Sequence, residues 1–211
     1  MNRLLLHPAA KPMVFLLALA PALWLMGGLV QGTLGANPAE ALTRGTGDWA
    51  LRLLCLTLAV TPLRQWTGWH PLARWRRMLG LYTFFYGVLH LLCYAWLDMG
   101  FDLVDIVRDI PKRPFILVGT LALSLMLPLA ATSFNRAIRM LGPARWQALH
   151  RLVYAIALLA LLHFFWMRSG KNDFAEWSVY AGVLALLLGW RAWRRLRGRQ
   201  RPVAGGRVST S

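Results

Sequence analysis

The run MLGLYTFFYGVLHLLCYAWL, from Met78 to Leu97, decides the fold. It is twenty residues long and carries no formal charge. At about 1.5 Å per residue, a helix of that length crosses a hydrocarbon core about 30 Å thick. A single ionisable group, His90, lies inside it. Five further stretches read the same way: Pro12 to Val30, Thr46 to Leu63, Pro114 to Thr132, Ala148 to Met167 and Phe174 to Trp193. Arg52, His163 and Glu176 interrupt or border the second, fifth and sixth of the six. The pattern predicts an all-α integral membrane protein, a bundle of six transmembrane helices over residues 12–193. A short segment, 1–11, precedes it, and a basic, flexible tail, 194–211, follows.

Composition agrees. Of 211 residues, 57% are hydrophobic and 12% aromatic, with a mean hydropathy of +0.46, yet 24 Lys and Arg face only 8 Asp and Glu, a net charge of +16. A disordered basic chain lacks such aliphatic and aromatic content, and a soluble domain does not spend more than half its residues on apolar side chains. Nucleic-acid binding would explain the charge but not the hydropathy. Membrane loops explain both, because cytoplasmic loops collect Lys and Arg.

Sorting the charges by loop predicts the orientation. Seventeen basic residues, and no acid, fall in the N-terminus, the second and fourth connections and the tail: Arg3, Lys11, Arg64, Arg74, Arg76, Arg77, Arg136, Arg139, Arg145, Arg151 and seven arginines from Arg191 to Arg207. All eight acids lie on the other side with the remaining seven basic residues. Both termini are therefore expected in the cytoplasm. Ten of the eleven tryptophans stand at or near predicted helix ends, as interfacial belts require, and only Trp24 lies deep. Ala39-Glu40-Ala41 resembles a cleavage site, but the preceding apolar run is too long for a signal peptide. An uncleaved first helix is expected.

Other chemistries are missing. Cys55 and Cys93 both fall inside predicted helices, too few for a disulfide framework, a cysteine-ligated zinc or an iron-sulfur cluster. There is no phosphate-binding loop, and Gly27, Gly28, Gly32 and Gly35 follow a membrane helix rather than a strand. No internal repeat or matched pair of broken helices suggests a transporter.

Ionisable groups inside a bilayer are functional candidates by default. His7 and His70 fall near the cytoplasmic face and read as interfacial or solvated. His90 lies about 18 Å from the inner end of its helix, and His163 lies about four residues from the outer end of another that runs in the same direction. One buried histidine is most often a helix-to-helix hydrogen bond. Two at matched depth instead suit a flat macrocycle clamped edge-on, with a neutral nitrogen on each side of one iron. His150, at the inner mouth of the fifth helix, is displaced from His163 by roughly 220° on an ideal helix. It reads as a ligand of an inner heme, a donor to a quinone, or a group orienting a heme propionate with Arg77 and Arg151.

Several segments carry a family resemblance. They are Arg77-Met-Leu-Gly-Leu-Tyr-Thr-Phe-Phe-Tyr-Gly-Val-Leu-His90, Ile110 to Gly119, Leu141 to Tyr154 leading to His163, and Gly47-Asp-Trp-Ala-Leu-Arg52 through Thr61-Pro-Leu-Arg64. At matching spacing they resemble the MsrQ (formerly YedZ) family of bacterial heme-binding membrane subunits, in the ferric reductase-like transmembrane domain group. The resemblance implies one heme b, or two, with His90 and His163 as axial ligands and His150 as a further candidate. It implies an electron-transfer subunit in the inner membrane that draws on the quinone pool or a cytosolic flavin reductase, with a bound FMN also proposed in the family. Electrons would pass to the periplasmic molybdopterin enzyme MsrP, which reduces methionine sulfoxide in oxidised proteins. Arg77, His150, Arg151 and Trp146 are the candidates for a heme propionate, a quinone or a flavin at the inner side. The larger relatives carry paired histidines on the third helix and C-terminal flavin and nicotinamide domains; here one histidine stands, and 18 residues follow Trp193. The alternative is an autonomous ferric or cupric reductase. The acidic stretch from Asp98 to Asp109, followed by Lys112-Arg113-Pro114, reads either as a docking surface for MsrP or as a solvated loop.

Overall fold

A computed structural model describes residues 6–170 and 172–199, the last two of these by backbone alone. Its described residues form helices and no strands. The helices are α1 (Ala10–Val30), α2 (Pro38–Thr67), α3 (Ala73–Cys93), α4 (Leu103–Lys112), α5 (Pro114–Ala131), α6 (Asn135–Leu141), α7 (Pro143–His150), α8 (Leu152–Ser169) and α9 (Ala175–Arg199). A 3₁₀ turn, His70–Leu72, precedes α3, and one π-helical turn, Tyr94–Asp98, extends it.

Local signals set most boundaries. Asn37 caps α2, its Oδ1 accepting the Glu40 N–H at 3.1 Å, with Pro38 in the first turn, where a missing N–H costs nothing. Gly68 ends α2 in the left-handed region (φ 69°) that a side chain would strain. Asp102 caps α4 by accepting from the N–H groups of Val104 and Asp105 at 2.9 and 3.0 Å.

Four helical stretches among the described residues are long and apolar enough to cross a membrane: Ala10–Val30, His70–Asp98, Pro114–Ala131 and Pro143–Ser169. The other two expected spans are helical but more charged. α2 carries Glu40, Arg44, Asp48, Arg52 and Arg64, and α9 continues past Trp193 as helix to Arg199. Arg201, Arg207 and the rest of the expected tail from residue 200, with Arg3, lie outside the described residues. Two features differ from the sequence reading. The acidic stretch after Asp98 is largely helix, α4, because its polar and apolar residues are segregated around one axis. The fifth span starts earlier, at Pro143, and runs to Ser169, with the single residue Arg151, still in the right-handed helical region (φ −69°, ψ −18°), between α7 and α8.

α2 packs along α3 and α5 along α8; α3 also meets α5, and α9 closes the bundle against α2 and α8. Leu51, Leu54, Cys55 and Leu58 of α2 bury themselves with Ile156 and Ala157 of α8 and Leu184 of α9. A second cluster joins α1 to α3 through Ala18, Ala22, Leu53, Tyr82 and Tyr86. Tyr86 is fully buried. Its hydroxyl donates to the Ala18 carbonyl at 2.8 Å and accepts the Ala22 N–H at 3.0 Å, so it bridges the i to i−4 pair beside Pro21. Trp24, expected deep along the first span, lies within α1 and is 71% exposed on the outside of the bundle.

Candidate functional site

His90 sits on the last turn of α3 and His163 on the last two turns of α8. Each ring is held from the helix packed beside its own. His90 Nδ1 donates to the Thr43 carbonyl of α2 at 2.8 Å, and His163 Nδ1 donates to the Phe115 carbonyl of α5 at 2.7 Å. A carbonyl only accepts, so both Nδ1 atoms carry the hydrogen and both Nε2 atoms keep a lone pair. The ring centres are 5.9 Å apart and the planes cross at 83°.

Two glycines make that seating possible. A Cβ on Gly47 would come within 3.1 Å of the His90 ring, and one on Gly119 within 2.9 Å of His163 Nδ1. The rings thus lie directly against the backbones of α2 and α5. Both histidines line one cavity of about 350 Å³, walled mainly by Leu51, Leu54, Leu123, Met126, Ile156 and Phe164. That size lies within the range of about 300–1,000 Å³ typical of cofactor pockets.

These residues fit a heme. His90 and His163 each keep one neutral Nε2, the donor that a heme iron takes from a protein, and their ring centres stand 5.9 Å apart on the wall of one cavity. Among the described residues, no three His, Cys, Asp or Glu side chains gather to hold a bare metal ion.

Charged groups also line this cavity: Arg44, Asp48, Asp98, Arg113 and Arg168. Arg44 pairs with Glu40 at 2.6 Å and Arg113 with Asp109 at 2.9 Å, while Arg168 bonds both Asp173, at 3.1 Å, and Glu176. Arg52 donates to the Tyr180 hydroxyl at 3.0 Å and lies over the Trp49 ring.

A second cavity, of about 330 Å³, shares four wall residues with the first: Leu54, Thr83, Met126 and Ile156. Arg64, Arg76, Arg77, Ser133, Trp146 and His150 line it. His150 stacks on Trp146, with ring centres 3.8 Å apart and planes at 25°, and its Nδ1 donates to the Trp146 carbonyl at 3.1 Å. Its Nε2 is buried without a hydrogen-bond partner, although the Leu129 carbonyl lies within electrostatic reach. Arg77 is oriented by Asn135, whose Oδ1 accepts from Nη1 at 2.8 Å.

The structure thus gathers Arg77, His150 and Trp146 around one cavity and leaves Arg151, the fourth sequence candidate for that cluster, exposed and off its wall. His90 and His163 share the other cavity. His7 and His70 line neither. The sequence reading missed the seats of the histidines: Gly47, Gly119 and the carbonyls of Thr43 and Phe115. Gly47 and Gly119 stand in the stretches that carried the family resemblance, which was the available signal.

The sequence profile described as "Ferric reductase like transmembrane component" matches residues 46–161, which hold His90, His150 and most of both cavities. Among curated proteins, the chain is 62% identical over 200 residues to the "Protein-methionine-sulfoxide reductase heme-binding subunit MsrQ" of Polaromonas naphthalenivorans (strain CJ2), covering 95% of this chain and 91% of that one. Proteins of the same name from Ralstonia nicotianae and Bordetella pertussis are 56% and 54% identical, over 95% and 90% of this chain and 93% of each of theirs. No solved structure matches significantly. By the profile and by identity over nearly the whole chain, this protein belongs to the MsrQ family, within the group that shares the ferric reductase-like transmembrane component.

Proposed function

We propose that the chain is a heme-binding membrane subunit that carries electrons from the cytoplasmic face of the bacterial inner membrane to its periplasmic face. The observation that carries the reading is the facing pair His90 and His163, each with Nδ1 anchored to a backbone carbonyl and Nε2 left as a donor atom. Heme b, if bound, would supply a one-electron couple, and His90 and His163 would hold it, each through a neutral Nε2, a donor set that favours electron transfer over oxygen binding. The printed names of the relatives, heme-binding subunits of a protein-methionine-sulfoxide reductase, support the same assignment.

The protein's own residues do the rest. Leu51, Leu123, Ile156 and their neighbours exclude water from the cavity. Arg44, Arg113 and Arg168 supply cations at its rim for the carboxylates of a macrocycle. The second cavity, with Arg64, Arg76, Arg77, Trp146 and His150, receives electrons from quinol or a cytosolic flavin reductase. Its arginines offset the negative charge of a reduced ring or a phosphate, FMN included, and His150 offers Nε2 to the incoming group. In this reading α2 and α9 complete six spans, both termini are cytoplasmic and the two-histidine cavity opens toward the periplasm, where MsrP collects the electron and reduces methionine sulfoxide.

An absorption spectrum of the detergent-purified chain tests the assignment. Dithionite should produce sharp b-type Soret and α bands, and His90→Ala and His163→Ala should each remove the bis-imidazole signature. Normal spectra in either variant would overturn the pairing. Reoxidation by MsrP but not by ferric citrate separates the electron-transfer subunit from an autonomous ferric reductase.

A further inference from the structure

The connection between α3 and α5 contains a helix with an unusual partition. Counted from Leu103 at about 100° per residue, Ile106, Ile110, Leu103, Val107, Pro111 and Val104 fill one arc of about 160°. Arg108, Lys112, Asp105 and Asp109 fill the opposite arc. One flank of the apolar arc has a partner: Ile106 and Ile110 pack against Tyr94, Ala95, Leu91, Met99 and Ile116, at the adjoining ends of α3 and α5. The other flank has none. Leu103, Val104 and Val107 are 72%, 58% and 67% exposed, a cost of about 25 cal/mol per Å² if that surface faced water.

We propose that α4 is an interfacial helix that beds in the outer leaflet through Leu103, Val104 and Val107 and holds the rim of the two-histidine cavity at headgroup level. The occupant is lipid rather than another protein because of where the two arcs point. A protein approaching from water meets the charged arc. The apolar flank lies at the end of the bundle where the adjoining spans present their own exposed apolar side chains, Leu92 and Trp96 before it and Leu117 after it. A short helix with a polar face toward water and an apolar face toward acyl chains is the arrangement that lies in a membrane interface.

The anchoring reaches the site through three contacts. Asp109 accepts the Tyr94 hydroxyl hydrogen bond at 2.7 Å and pairs with Arg113 at 2.9 Å, and both Tyr94 and Arg113 line the cavity. Two residues after Arg113, the Phe115 carbonyl holds His163. The inference rests on the proposed spans and orientation of the chain but not on what His90 and His163 bind, so it can fail while the heme assignment stands, or survive it.

The test uses the full chain in nanodiscs of phosphatidylethanolamine and phosphatidylglycerol. With Cys55→Ser and Cys93→Ser as background, single nitroxide-labelled cysteines replace Leu103, Asp105, Val107 and Arg108. Labels at 103 and 107 should collide several-fold more with oxygen than with a nickel chelate, and those at 105 and 108 should show the reverse. Uniform nickel access around the helix would overturn the proposal, as would shielding of 103 and 107 from both reagents, the mark of a covering protein. A second measurement keeps the natural cysteines. Val107→Gln should raise tryptic cleavage after Arg108 in the same nanodiscs several-fold, and Asp105→Asn should not. Equal cleavage of Val107→Gln and the natural chain overturns the proposal independently.

Discussion

Gly119 lies so close to His163 that a single added methyl group would sit 2.9 Å from Nδ1, inside any normal contact. The neighbour is a ring pinned by the Phe115 carbonyl, so it cannot swing away without breaking that bond. Gly119→Ala should therefore displace His163 and lower heme content several-fold. Helicity should hold, since alanine favours a helix by about 0.8–1.0 kcal/mol over glycine. Gly47→Ala, with 3.1 Å to the His90 ring, should show a milder loss. The heme-to-protein ratio beside far-ultraviolet circular dichroism checks both, and unchanged heme content in Gly119→Ala would refute the seating argument.

The cavity lined by His150 should be separable from the one lined by His90 and His163. Arg77→Gln removes a cation that Asn135 orients, and it touches neither His90 nor His163. Stopped-flow reduction by a quinol should slow by about tenfold, equivalent to about 1.4 kcal/mol, while the bis-imidazole spectrum stays intact. Unaltered kinetics would move the point where electrons enter away from this cavity.

Tyr86 makes a prediction about stability alone. Tyr86→Phe leaves the Ala18 carbonyl and the Ala22 N–H without their bridge in an apolar interface, at a cost of about 1–3 kcal/mol. Thermal unfolding in detergent should shift down by several degrees with the heme spectrum unchanged below the transition. An unchanged midpoint would mean that α1 closes the gap with its own backbone bond.

Sidedness is open to a labelling experiment. In intact cells, a membrane-impermeant maleimide should modify cysteine at Asp105 but reach cysteine at Arg139 only after permeabilisation, in a background lacking Cys55 and Cys93. Reversal of the two would invert the proposed orientation and place the two-histidine cavity on the cytoplasmic side.

Long apolar runs made α1, α3, α5 and α8 legible in the sequence, because membrane length is a one-dimensional signal. α4 was not legible. It has ten residues, two acids, two bases and Pro111, and its order appears only when the residues are wound about an axis. The histidine seats escaped for a different reason: Thr43 and Phe115 act through backbone carbonyls, which any residue has, and each lies nearly fifty positions from the ring it holds. Arg151 looked equivalent to Arg77 because both flank the inner mouth. Helix phase separates them: Arg151 is exposed and off the wall that Arg77 lines.

α7 and α8 run on as one stretch of 27 residues, Pro143–Ser169, with Arg151 keeping right-handed helical dihedrals (φ −69°, ψ −18°) between them. Inserting a residue between His150 and His163 would turn one against the other by about 100°. The two cavities are therefore geared through one shaft: a length change that suits the histidine of one displaces the histidine of the other.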